Sequence, residues 1–184
     1  MTRQPDWLVG GDRHQLAVER IHAAAAELIA RGGMGGLNID QVAAQAGCAR
    51  ATVYRYVGGK SALREAVLTG ATARIAQTIQ RSVAPLDGAE RVTQAILGAL
   101  TAVRADPVAV AFLNASTPQE IDGFLAGNPR LADAAVELTG IATADPAAGQ
   151  WIVRVVLSLL FWPATDPATE RALVERFVVP NFAA

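Results

Sequence analysis

The chain has 184 residues, 52% hydrophobic and 18% charged, which is enough apolar material for a sizeable core and excludes a disordered chain. Abundant alanine with only 5% aromatics favours helices over sheets, while one cysteine and two histidines exclude a disulfide framework and leave no basis for a structural zinc site. The net charge of −1 hides an asymmetry: residues 1–81 carry ten Lys and Arg against six Asp and Glu, a net of +4, whereas residues 82–184 carry six against eleven, a net of −5. One half suits a polyanionic partner and the other does not.

The opening MTRQPDWLVGGDRH lacks the apolar stretch of a signal peptide, and no apolar run reaches the ~18 residues of a membrane span. A soluble, cytoplasmic protein with no membrane partner is expected. A long helix is predicted from about Asp12 to Arg31, with Leu16, Ile21, Ala24, Ala25, Leu28 and Ile29 at helical spacing. The glycines at 32, 33, 35 and 36 stop it, and because they follow a helix rather than a strand they do not read as a phosphate loop. Asn38-Ile39-Asp40-Gln41 reads as a capping box opening a short helix that ends at Gly47. A second short helix covers about 49–56, Gly58-Gly59 breaks it, and a longer helix runs from Lys60 to about Arg81. Further helices are predicted at about 86–105, 107–115, 118–126, 129–139, 146–162 and 167–179. Asp106, Thr117, Asn128, Asp145 and Asp166 each stand before a proline, the pairing of N-cap and first helical residue.

Two short helices joined at Gly47 have the spacing of a helix-turn-helix, although an ordinary helical hairpin has the same spacing. Ala43 is small where the helices cross, and Val42 and Val53 are apolar where they would bury. Arg50, Thr52, Tyr54 and Arg55 make the outward surface of the second helix donor-rich, with the short Ala51 between them, as a helix approaching base edges requires. Lys60, the only lysine, starts the next helix, where its charge and free backbone N–H groups suit a phosphate.

The run from Asn38 to Leu63, which includes Val42-Ala43, Gly47 and Thr52-Val53-Tyr54-Arg55-Tyr56, resembles the tetracycline-repressor (TetR) family of bacterial regulators. The resemblance is specific over about residues 12–70 and architectural beyond. It implies an all-α protein: an N-terminal helix-turn-helix, three-helix domain at 12–80, including the connecting helix, then a larger helical effector-binding and dimerisation domain at 81–184. It further implies DNA contacts from Asn38, Arg50, Ala51, Thr52, Tyr54, Arg55, Tyr56 and Lys60, with Asn38, Tyr56 and Lys60 on phosphates. The chain departs from the family pattern at Asn38 (usually Thr), Cys48 (Ser), Val57 (Phe) and Gly59 (Ser). Cys48 at the turn is read as a small apolar filler, not a redox sensor, because no resolving cysteine exists.

In the second half, Trp151 to Trp162 is apolar almost all round, with Arg154 and Ser158 as its one polar stripe. The last helix sets Leu173, Val174, Phe177 and Val178 against Glu170, Arg171 and Glu175. Such helices need cover, and a second copy of the helices at about 146–162 and 167–179 would supply it, giving a homodimer that reads an inverted-repeat operator in double-stranded DNA. An effector pocket is expected among Phe112, Asn114, Phe124, Trp151, Arg154 and Phe161, which suits a hydrophobic small molecule. His14 and His22 read as surface residues without metal-ligand spacing, and no catalytic motif is present. A regulator, most simply a repressor, with no enzyme activity, metal or cofactor is expected; the alternative is a hydrophobic-ligand-binding protein that has lost DNA binding.

Overall fold

The computed structural model describes residues 7–141, 145 and 147–182. Among these are ten α-helices, two short 3-10 turns and no strand: α1 (Trp7–Gly32), α2 (Ile39–Ala46), α3 (Arg50–Val57), α4 (Lys60–Val83), α5 (Gly88–Ala105), α6 (Pro107–Ala115), α7 (Pro118–Gly127), α8 (Arg130–Thr139), α9 (Ala147–Phe161) and α10 (Pro167–Phe177), with the turns at Met34–Gly36 and Val179–Asn181. No single helix among the described residues is long and apolar enough to cross a membrane. The helices form two compact units. One runs to Ala71 and takes in α6; the other comprises Thr72–Asp106 and the chain from Ser116 onward.

In the N-terminal unit, Ile21, Ala24, Ala25 and Ile29 of α1 pack with Val42, Ala43 and Ala46 of α2, Val53 of α3, Leu63 and Val67 of α4 and Val108 of α6. Val42 and Val53 have no exposed surface, and burying each contributes about 1.5–3 kcal/mol. Leu16, expected on the same stripe, is exposed, because the buried face of α1 begins only at Ile21. His22 also departs from expectation: its Nε2 is buried without a hydrogen-bond partner among the described residues. Half-buried Cys48 packs against this core.

In the C-terminal unit, Val92 and Ile96 of α5, Ile152 of α9 and Val174 of α10 form a core with Ile141, Val178 and Val179. Gly149 lets α9 lie directly on α8, since a Cβ there would collide with the Ala132 carbonyl. Arg91 of α5 donates to the carbonyls of Leu138 (3.1 Å) and Glu137 (3.0 Å), placing a cation at the C-terminus of α8. Glu170, expected on the solvent face of α10, is instead buried, because Arg104 of α5 donates to both its oxygens (2.9 and 2.7 Å).

Proline begins α6, α7 and α10 as predicted. Thr117 and Glu120 form the complete capping box, and Asp145 and Asp166 accept backbone N–H bonds at 2.8 Å. Asn128 behaves differently: its side chain donates to the Phe124 carbonyl at the end of α7, and Pro129 takes the N-cap position of α8. The last predicted helix is shorter than expected, closing at Phe177 before the 3-10 turn.

Candidate nucleic-acid interface

The geometry around α3 follows from its two turns. Asn38 Oδ1 caps α2 by accepting from the N–H groups of Asp40 (2.8 Å) and Gln41 (3.4 Å). Gly47 ends α2 in the left-handed region (φ 65), and the Cys48 N–H returns to the Ala43 carbonyl at 2.9 Å. The N-cap of α3 is Ala49, extended at φ −77 and ψ 149, with no side-chain cap. The weak cap of this helix thus lies at Ala49. Backbone N–H groups at the start of α3 are therefore left to solvent or a ligand.

Every residue expected to contact DNA lies on this unit, at the start of α2, along α3 or at the start of α4. Arg50, Ala51, Tyr54 and Arg55 are exposed, Thr52 and Tyr56 half-buried, and Asn38 and Lys60 exposed at the first turns of α2 and α4. These side chains are organised by contacts that the sequence did not reveal. Arg50 Nη1 donates to both Asp40 carboxylate oxygens at 2.9 Å, and its Nη2 reaches the Tyr54 hydroxyl at 3.4 Å. The Tyr54 hydroxyl, followed by Asp40, raises the Arg50 guanidinium above its ordinary pKa. Arg55 lies over the Tyr56 ring at 4.8 Å and donates to its hydroxyl at 3.3 Å, while His14 packs on the same ring with centroids 4.4 Å apart.

Gly59 has φ 109, and a Cβ there would stand 3.2 Å from Tyr54 Cε1. Glycine at this site, where the family pattern has serine, lets the Tyr54 ring lie against the backbone that opens α4. Behind the turn, Arg31 donates to Gln45 Oε1 at 2.9 Å, and Gln45 donates in turn to Glu27, tying α2 to α1. Asp40 and Gly59 were the missed members of the site. For Asp40 the available signal was an acid and a base ten positions apart across a tight turn.

The residues expected around an effector are distributed over both units. Phe112 packs against the N-terminal core and Asn114 is exposed on α6. Phe124 is half-buried on α7, while Trp151, Arg154 and Phe161 are exposed on α9. None of the six lines the crevice of about 530 Å³ in the C-terminal unit, whose polar lining includes Thr78 and Ser82 of α4, Gln94 and Thr101 of α5, and Glu170 and Arg171 of α10.

A model of the family described as bacterial regulatory proteins, tetR family, matches residues 21–67. An uncharacterized HTH-type transcriptional regulator of Mycobacterium tuberculosis is 36% identical over 182 residues, covering 95% of this chain and 89% of that protein. The solved structure of the TetR family repressor AlkX from Dietzia, implicated in biodegradation of n-alkanes, matches with a TM-score of 0.64 at 20% identity, over 89% of this chain and 96% of that one. A TetR-family regulator of Streptomyces coelicolor matches at 0.63 and 17% identity over 100% of both chains. AibR, solved with isovaleryl coenzyme A and operator DNA, matches at 0.51 and 18% identity over 91% of this chain and 98% of that one. With a helix-turn-helix whose second helix presents a basic, aromatic surface, and with a relative similar along nearly its whole length, the chain belongs to the TetR family of DNA-binding transcriptional regulators.

Proposed function

We propose that the protein is a repressor that binds an inverted-repeat operator as a homodimer, with α3 in the major groove. The observation that carries this reading is the surface of α3, where Arg50, Tyr54 and Arg55 stand exposed around a helix start that no side chain caps. Arg50, Thr52, Tyr54 and Arg55 read base edges or the adjoining backbone, with Ala51 allowing close approach. Asn38, Tyr56 and Lys60 hold phosphates and fix the register. Dimerisation is through α9 and α10, which expose Trp151, Phe161, Leu173 and Phe177, with exposed Trp162 just past the end of α9. It sets two half-sites about 34–36 Å apart or a multiple of that spacing.

Control is assigned to a small, largely apolar molecule bound in the C-terminal unit, which favours a state unable to bind DNA and so releases the operator in the cytoplasm. A partly open crevice beside α4 offers space there, and AibR, solved with both an acyl coenzyme A and operator DNA, is a precedent for such dual binding. Since Phe112, Asn114, Phe124, Trp151, Arg154 and Phe161 lie away from this crevice, the effector contacts are assigned instead to its lining, with Gln94, Thr101 and Arg171 as polar anchors. A salt titration of binding to duplex DNA tests the reading. A regulator making several phosphate contacts per half-site loses affinity steeply as salt rises, whereas a ligand carrier without DNA binding shows no complex even at low salt.

A further inference from the structure

We infer that Asp40 is a specificity-determining residue of the DNA-reading surface, acting through Arg50, whose guanidinium it holds in one orientation and keeps from non-operator phosphates. This rests on the reading of α3 as the recognition helix. Asp40 is the only acidic residue between Glu27 and Glu65, a stretch containing Arg31, Arg50, Arg55, Lys60 and Arg64. A lone carboxylate on a face meant for a polyanion weakens binding to every phosphate it approaches. Its pairing offers little in return as stability: the side chains of Arg50 and Asp40 are 58% and 63% exposed, and ion pairs so exposed contribute little.

The geometry supplies another role. Arg50 is the first residue of α3 and Asp40 the second of α2, so the pair bridges the two helices across the Gly47 turn. Nη1 donates to both carboxylate oxygens at 2.9 Å, Nη2 meets the Tyr54 hydroxyl at 3.4 Å, and the guanidinium carbon stands 5.6 Å from the centre of the Tyr54 ring. Anchors on two helices fix the plane of a side chain that is otherwise rich in rotamers. With Nη1 engaged, the edge that Asp40 leaves is Nε with Nη2, a pair of parallel donors of the kind accepted by O6 and N7 of guanine. Asp40 thus favours DNA that offers Arg50 a guanine edge and disfavours DNA that offers only phosphate.

The simpler role for an acid at this position is to complement the dipole of α2, and the test separates the two. Wild type, Asp40→Asn, Arg50→Ala and the double variant are titrated, at one salt concentration, against the operator selected by the wild type and against a shuffled duplex, with melting temperatures measured in parallel. Asp40→Asn is expected to lower the ratio of operator to shuffled affinity about tenfold, chiefly by tightening binding to the shuffled duplex. In the Arg50→Ala background the same change should leave the ratio unmoved. Selection with Asp40→Asn should relax the same base pair of each half-site that Arg50→Ala relaxes. An unchanged ratio, an equal fall with and without Arg50, or a parallel loss of both affinities with a lowered melting temperature would overturn the inference while leaving the recognition helix in place. A folded wild type that selects no sequence would overturn the recognition-helix reading and this inference with it.

Discussion

Lys60 and Tyr54 illustrate how placement divides labour among single residues. Lys60 is exposed at the first position of α4, where its charge adds to free backbone N–H groups, whereas Tyr54 lies along α3 against Gly59. Lys60→Ala is expected to weaken binding to all sequences alike and reduce the slope of log affinity against log salt by about 1. Tyr54→Ala should instead flatten base preference. Binding isotherms on operator and shuffled DNA check both, and a change of preferred bases in Lys60→Ala would refute its assignment to phosphate.

His22 carries a different prediction. Burial lowers its pKa below the ordinary 6.5, so the unfolded chain binds the proton more readily than the folded one. The neutral, folded form is therefore fully favoured above pH 6.5, and stability is lost as pH falls from that value through the lower folded pKa. Urea midpoints at pH 7.5 and 5.5 should fall more steeply on acidification in wild type than in His22→Leu, which also removes the unpartnered Nε2. His22 reads as a surface residue in the sequence because polar residues flank it on the first helix, whereas in the fold Ile21, Ala24 and Ala25 carry this turn of α1 into the core.

Among the elements, the α8–α9 contact is the one most exposed to a single methyl group. Alanine ordinarily stabilises a helix relative to glycine by about 1 kcal/mol. At Gly149, however, the added Cβ meets the backbone of Ala132, which cannot swing aside as a side chain would. Gly149→Ala should therefore destabilise by about 1–3 kcal/mol, read from the shift in urea midpoint; a stabilising result would mean that the two helices are not so close. Helix starts were largely legible because proline and its preceding cap act locally, as at Pro107, Pro118 and Pro167. Asn128 was misread because the same side chain serves equally well at a helix end, where it donates to Phe124. Glu170 and Asp40 were misread or missed because their partners, Arg104 and Arg50, are brought to them only by tertiary structure or by the turn at Gly47.

For the whole molecule, the charge asymmetry between the halves and the pattern from Asn38 to Leu63 made the DNA-binding unit legible. An effector site was not legible, since apolar residues on helices serve a core, a pocket or an interface alike. The exposed aromatics favour an interface for at least some: Trp162, just past α9, is 76% and Phe177 62% exposed, a large amount of apolar surface to leave in water. Replacing both with Glu should convert a dimer into a monomer in sedimentation, with unchanged helical content and operator affinity lowered at least ~100-fold through loss of the second half-site. A double variant that remains dimeric would place the interface elsewhere.

Whether α3 reads DNA sequence is decided by in vitro selection from random duplex DNA, with wild type and Tyr54→Ala run side by side. The wild type is expected to enrich an inverted repeat, and Tyr54→Ala none or a degenerate one. A folded wild-type protein that enriches no sequence at low salt, or a Tyr54→Ala variant that selects the same operator, would contradict sequence reading by α3.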